Sequence, residues 1–264
     1  MTDERDASTT DVHHSAKSGY TAGAEVYAAG RPDYPVEVTT WLRDVVGVGD
    51  GRTVVEIGAG TGAFTARLAS TGARICAVEP TAAMRARIAA RAPRAWVVAG
   101  TASAAPIRNG SADAIVCAQA FHWFATPQAL QEFARILTPG GRLALIWNVR
   151  DERVPWVRRL SAITDAYEGD TPRYTTGRWR DAFLGSDFEE VDDREVDHAH
   201  VGPVDQVVRA RTMSVSFVAA LPPDRRQALA ARLARFVDDE DALRGHASVA
   251  FPYRTAMYVY RRAR

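Results

Sequence analysis

The chain has 264 residues, 47% hydrophobic and 25% charged, the balance of an ordinary globular domain and not of a disordered, collagen-like or coiled-coil sequence. Its 33 Lys and Arg against 32 Asp and Glu leave a formal net charge of +1, less basic than expected of a protein that grips nucleic acid through the phosphate backbone. Cys76 and Cys117 both fall in apolar runs, which argues against a disulfide framework or a metal cluster and fits a reducing, cytoplasmic setting.

Residues 1–19 are polar and mixed in charge, with no apolar stretch behind a basic start, so they read as a disordered tail and not as a secretory signal. No apolar run approaches the roughly 20 residues of a membrane helix. Residues 20–264 read as a single domain. Pro35 opens a helix whose Val38, Trp41, Leu42 and Val45 recur at helical spacing. Thr53 to Ile57 is a β-branched strand ending in glycines, and Phe64 and Leu68 mark the helix behind it, closed by Gly72. The unit repeats: a strand from Arg74 to Val78, then a helix capped by Thr81 that carries Met84 and Ile88 and stops at Pro93.

A third strand is expected at Ala95 to Ala99 and a fourth at Asp113 to Cys117. The next helix has Thr126 as N-cap, Pro127 in its first turn, and Leu130, Phe133, Ala134 and Leu137 on one face, with Pro139-Gly140-Gly141 as terminator before a fifth strand from Arg142 to Asn148. Pro155 to Tyr167, Asp205 to Ala219 and Asp224 to Val237 read as helices, Phe188 to His200 as an edge strand, and Val249 to Val259 as the last strand. Apolar strands alternating with amphipathic helices predict an α/β fold, a doubly wound, mostly parallel seven-stranded sheet whose last strand is antiparallel. Helical cap segments are expected at about residues 151–185 and 203–245.

In such sheets, ligands bind beyond the carboxyl ends of the strands. After the first strand stands Glu56-Ile57-Gly58-Ala59-Gly60-Thr61-Gly62, where glycines permit a sharp turn and close approach of a ligand. Glu79 ends the second strand about 20 residues further on, the spacing at which a carboxylate meets ribose hydroxyls. Together they predict a nucleoside-containing cofactor. Gly58-x-Gly60-x-x-Ala63 is compatible with NAD, and the same residues are compatible with S-adenosylmethionine.

Glu56, Gly58, Gly60 and Gly62 resemble the first motif of the class I, Rossmann-like adenosylmethionine-dependent methyltransferases. The likeness extends in order through Val78-Glu79-Pro80, Gly100-Thr101-Ala102 with Pro106, Ala120 to Phe124, and Leu137 to Gly141, with Gly30 to Pro35 ahead of the first helix. Within that family the chain resembles the small-molecule branch that includes trans-aconitate methyltransferase-like proteins. The alternatives are an NAD-dependent oxidoreductase and a non-catalytic adenosylmethionine-binding sensor.

The resemblance implies roles by position. Gly58, Ala59 and Gly60 would lie against the methionine part of the cofactor, and Glu56 would order the turn and face its ammonium group. Glu79, with Pro80, would take the ribose diol. Thr101 and Ala102 would contact the adenine, although the family often has an acidic residue where Thr101 stands. Gln119 would flank the methionine moiety, and Tyr27 and Arg31 would close over its carboxylate.

Phe121, Trp123, Trp147 and Asn148 are the expected acceptor-pocket residues. Trp156, Trp179 and Tyr174 are further aromatic candidates, and Arg158, Arg173, Arg178 and Arg180 could bind an anionic acceptor. Methyl transfer from a sulfonium needs a base only for an acceptor such as a hydroxyl. His122 is the candidate, against a structural role in its loop. His198, His200 and His246 are scattered and no metal is expected. The expected partner is a small molecule, most simply one methylated at a hydroxyl or carboxylate oxygen, with neither nucleic acid nor membrane involved.

Overall fold

The computed structural model describes residues 31–263. The expected tail, Tyr27 and Gly30 lie outside them. Seven strands form one sheet: β1 Thr53–Ile57, β2 Arg74–Val78, β3 Trp96–Val98, β4 Ala112–Ala118, β5 Leu137–Arg150, β6 Phe188–Pro203 and β7 Ser248–Arg262. Their spatial order is β3-β2-β1-β4-β5-β7-β6. The first five pair in parallel, and β7 runs antiparallel to both β5 and β6. The order reverses at β1 and β4, so the cleft beyond their carboxyl ends is where a ligand is expected.

Helices cover both faces: α1 Val36–Trp41, which continues as a wider turn over Leu42–Val46, α2 Ala63–Ala69, α3 Ala82–Arg91 and α4 Pro127–Ile136. On α4 the sequence logic holds at each end, since the Thr126 hydroxyl accepts the Ala129 amide and Pro127 occupies the first turn. Its Leu130 and Phe133 are buried with Ile115, Leu143 and Leu145 against one sheet face. Each contributes about 1.5–3 kcal/mol by leaving water. Val38, Leu42, Phe64 and Leu68 cover the other face over Val54, Val116 and Ile146.

Three boundaries differ from expectation. Leu137 begins β5 instead of ending α4, so the Pro-Gly-Gly segment lies inside the strand, which shifts register against β4. Thr81 makes no side-chain cap for α3; its amide instead donates to Glu79 Oε1 at 2.9 Å. The expected helix from Asp205 to Ala219 is three shorter pieces, Asp205–Ala210, Arg211–Met213 and Ser216–Ala219.

Beyond β5, α5 Pro155–Asp165, this broken helical run and α6 Pro223–Asp239 pack on the end of β7 through Trp156, Leu160, Val208, Leu229, Phe251 and Tyr253. They form a helical cap beside the carboxyl ends of the central strands.

Candidate active site

The turn after β1 is held from within. Gly58 and Ala59 donate their amides to the Val78 carbonyl at 3.0 and 3.2 Å, and Gly60 donates to Glu79 Oε2 at 3.0 Å. Gly58, Gly60 and Gly62 all have positive φ, yet for different surroundings. A Cβ on Gly58 would come within 2.9 Å of Ala120 Cβ, and one on Gly62 within 2.9 Å of the Ile88 Cα, whereas one on Gly60 would meet nothing within 4 Å. Gly58 and Gly62 therefore serve packing, while Gly60 faces open space.

That space is a cavity of about 1070 Å³. Arg31, Glu56, Gly58, Ala59, Gly60, Glu79, Pro80, Thr101, Ala102, Gln119, Trp123 and Asn148 all line it, together with Met84 and Ser103, which sequence reasoning did not single out. Eleven cofactor positions were expected; ten fall on this one cavity, and Tyr27 lies outside the described residues.

Glu56 is 1% exposed and accepts the Thr65 hydroxyl at 2.5 Å. Burial pushes its carboxyl up to about 8, Thr65 opposes the shift, and Glu79 adds to it. Glu79 keeps acceptor capacity toward the cavity, because each oxygen is engaged by a single amide.

Strand β4 is followed directly by Gln119, the one non-glycine residue with positive φ among those described, at 56°. Its amide donates to the Ile146 carbonyl at 2.8 Å and its Nε2 to the Asn148 carbonyl at 3.0 Å. The Asn148 side chain donates to the Pro32 and Asp33 carbonyls and accepts the Thr255 hydroxyl at 2.7 Å. Arg67 holds the same segment through the Asp33 carboxylate and the Tyr34 carbonyl. The wall before α1 is thus pinned to β5 and α2, and β7 steadies the Asn148 side chain that holds it.

Past that wall lies a second cavity of about 140 Å³, lined by Gln119, His122, Trp123, Trp147, Asn148, Tyr174 and, from the cap, Arg173, Arg211 and Phe217. Trp147 Nε1 donates to His122 Nδ1 at 3.0 Å. Because an indole N–H only donates, the proton of neutral His122 sits on Nε2. Burial, with Arg173 and Arg31 adding to it, lowers His122 to about 3. This changes the expectation for His122, whose one basic nitrogen is already taken.

Phe121 corrects another expectation. It lines neither cavity and is 0% exposed, packed among Phe124, Phe133, Trp179 and Phe183. The short turn Phe121–Trp123 sends Phe121 into the core and leaves Trp123 on both cavities. Trp156 and Trp179 are core as well, and of the four cap arginines named from sequence only Arg173 lines either of these two cavities. The sequence reading missed Arg150, Arg211 and Tyr253. Arg150, two residues beyond Asn148 at the carboxyl end of β5, follows from the strand-end rule.

Residues 55–145 match the family described as "Methyltransferase domain". An uncharacterised methyltransferase-like protein of Schizosaccharomyces pombe is 35% identical over 208 residues, covering 78% of this chain and 81% of that one. An uncharacterised methyltransferase of Mycobacterium tuberculosis is 42% identical over 159 residues, 60% of this chain and 63% of its own. Among solved structures, a candidate type II methyltransferase from Anaeromyxobacter dehalogenans superposes with a TM-score of 0.62 at 26% identity, covering 89% of this chain and 97% of that one. A geranyl diphosphate methyltransferase solved with S-adenosylmethionine shares the fold at a TM-score of 0.50 and 14% identity, over 86% of this chain and 85% of that one. The chain belongs to the class I adenosylmethionine-dependent methyltransferases. It is an enzyme of that class with S-adenosylmethionine as its cofactor, and the NAD alternative is not favoured.

Proposed function

We propose that the protein transfers the methyl group of S-adenosylmethionine to an oxygen of a small-molecule acceptor, with the larger cavity holding the cofactor and the smaller one the acceptor. The observation that carries this reading is the shared wall: Arg31, Gln119, Trp123, Asn148 and Arg211 line both cavities. Two chambers meeting at the end of β4 are what a two-substrate displacement requires. The acceptor chamber, at about 140 Å³ beneath the cap, suits a small molecule and not a polymer.

The cofactor chamber fits its group chemically. Gly60 leaves room for a ligand against bare backbone, and Glu56 offers a buried carboxyl to an ammonium group. Glu79 beside Pro80 would offer oxygens to a ribose diol, Thr101 and Ala102 would border the adenine end, and Arg31 would take the carboxylate. Bound there, the cofactor supplies a methyl group on a sulfonium whose departing thioether is neutral and takes no proton.

The residues of the chain position and shield. Gln119, fixed at both its backbone and its side chain, sets the height of the wall against which the acceptor stops. Trp123 and Trp147 line the acceptor chamber and exclude water, while His122 presents Nε2–H as a donor that orients the acceptor. Alignment of this kind is worth about 7–11 kcal/mol in favourable intramolecular cases. With the lone pair of His122 engaged by Trp147, the arrangement favours an acceptor oxygen that arrives already ionised. The setting we infer is the cytosol, where the buried free thiols of Cys76 and Cys117 stay reduced.

Incubation with methyl-labelled S-adenosylmethionine and a metabolite extract tests the reading. Label in a low-mass product bearing an oxygen-linked methyl is expected. Label confined to protein or nucleic acid, or carried on nitrogen, carbon or sulfur, would contradict it.

A further inference from the structure

The smaller cavity is unusually rich in positive charge. Arg31, Arg150, Arg173 and Arg211 line it against a single lining carboxylate, Glu152. Arg173 has anionic company already, Glu168 at 2.6 Å and Asp165 at 3.3 Å. Arg150 does not. Its guanidinium donates to two neutral hydroxyls, Thr164 Oγ1 at 3.3 Å and Thr212 Oγ1 at 3.2 Å, and among the described residues it forms no ion pair. Burial lowers its pKa to about 10; Tyr253 and Asp165 oppose the shift, while Arg211 and Arg173 add to it. A half-buried guanidinium that rests over the Phe251 ring, 5.9 Å from its centroid, and has only neutral hydroxyls as hydrogen-bond partners keeps its charge uncompensated, and an incoming oxyanion supplies that charge by a bidentate pair.

An unpartnered hydroxyl sits in the same cavity. Tyr253 is 1% exposed, and its hydroxyl has no hydrogen-bond partner among the described residues. Arg150 and Tyr253 occupy paired positions on β5 and β7, so the strand register itself brings the two groups together. Both line only the smaller cavity, away from the wall shared with the larger one.

We propose that this cavity is an oxyanion site, and that the acceptor enters as an organic anion whose carboxylate or phosphate seats on Arg150 and Tyr253. The inference rests on the reading of this cavity as the acceptor chamber and adds the acceptor's charge to it. The anionic group anchors the acceptor at the far end and leaves the rest of the molecule to reach the junction at Gln119. The same cluster rejects protonated amines, which would place like charges together.

The test titrates malonate and inorganic phosphate into the full-length protein by calorimetry, at constant ionic strength set with chloride, with and without S-adenosylhomocysteine. Saturable binding of malonate identifies a carboxylate site and of phosphate a phosphate site; one of the two is expected. Arg150→Met should weaken that binding at least tenfold and Tyr253→Phe several-fold. Arg232→Met, on the exposed side of α6, should leave it unchanged. Binding of neither anion to protein that takes up adenosylhomocysteine overturns the oxyanion site while the cofactor reading stands. Anion binding by protein that takes up no adenosylhomocysteine supports the site and overturns the two-chamber reading. Should Arg150→Met not fold, Tyr253→Phe decides, and wild-type anion affinity in either folded variant overturns the proposal.

Discussion

The indole of Trp147 donates its only proton to Nδ1 of His122, 3.0 Å away, and so removes the lone pair that a general base would need. Trp147 is 1% exposed on β5 and His122 follows β4, so two neighbouring strands fix the pair. On the proposed reading, His122 would orient the acceptor without taking a proton from it.

His122→Asn is therefore expected to lower kcat by less than about tenfold, against the 10²–10⁴-fold typical of a lost general base. The wild-type rate should show no limb near pH 6.5. Loss of a wild-type limb in the variant would restore His122 as the base. Stability carries its own signature. The pKa of about 3 in the folded protein lies below the ordinary histidine value of 6.5, so the unfolded chain binds more protons between these values. Stability contributed by neutral His122 is then present above pH 6.5 and lost as pH falls toward 3, with a slope of at most about 1.4 kcal/mol per pH unit. Urea unfolding at pH 7 and pH 5 should show this loss in the wild type and less of it in the variant.

The glycine turn separates folding from binding. Gly60→Val should fold with a penalty of roughly 1–2 kcal/mol from its left-handed backbone, and should lose adenosylhomocysteine binding because the new side chain fills the cavity. Gly62→Ala should behave in the opposite sense, losing stability through its clash with Ile88. Thermal melts beside calorimetry distinguish them, and normal binding by a folded Gly60→Val protein would show the turn to be misread.

Glu79→Ala is expected to weaken adenosylhomocysteine binding by about 1.5–3 kcal/mol, the worth of hydrogen bonds to a charged group. Part of that loss will be indirect, since the Gly60 and Thr81 amides lose their acceptor as well. An unchanged dissociation constant in a folded variant would remove Glu79 from the cofactor site.

Glu56 predicts a proton signature. With its carboxyl raised to about 8, it holds a proton at pH 7 in the free protein, and an ammonium group arriving beside it favours the ionised form. Calorimetry in buffers of differing ionisation enthalpy should show proton release on binding at pH 7, and Glu56→Gln should abolish it. The sign for folding is the reverse of a salt-bridged carboxylate: stability is present below the ordinary glutamate value of 4.5 and falls as pH rises toward 8. Proton uptake, or release that survives Glu56→Gln, would contradict this.

What sequence revealed was local. The strand, turn and acidic residue at Val54 to Gly62 and at Glu79 are short-range patterns, and the turn and Glu79 line one cavity. Side-chain direction in irregular segments was not legible. Phe121 and Trp123 are two residues apart in one aromatic run, and only the turn they adopt decides which enters the core. Nor was the smaller cavity legible as a unit, because Arg150, Arg211 and Tyr253 come together only through the β5–β7 pairing and the packing of the cap. The break between Met213 and Ser216 leaves no mark in the sequence, because Val207, Val208, Phe217 and Val218 keep an apolar pattern across it.

The most direct measurement of the two-chamber arrangement is a crystal structure of the protein with S-adenosylhomocysteine. Density is expected in the larger cavity, with the ribose hydroxyls against Glu79, the adenine at Thr101 and Ala102, and the thioether sulfur at the Gln119, Trp123 and Asn148 wall, facing the smaller cavity. Density with the ribose away from Glu79, or with the sulfur turned away from that wall, would contradict it.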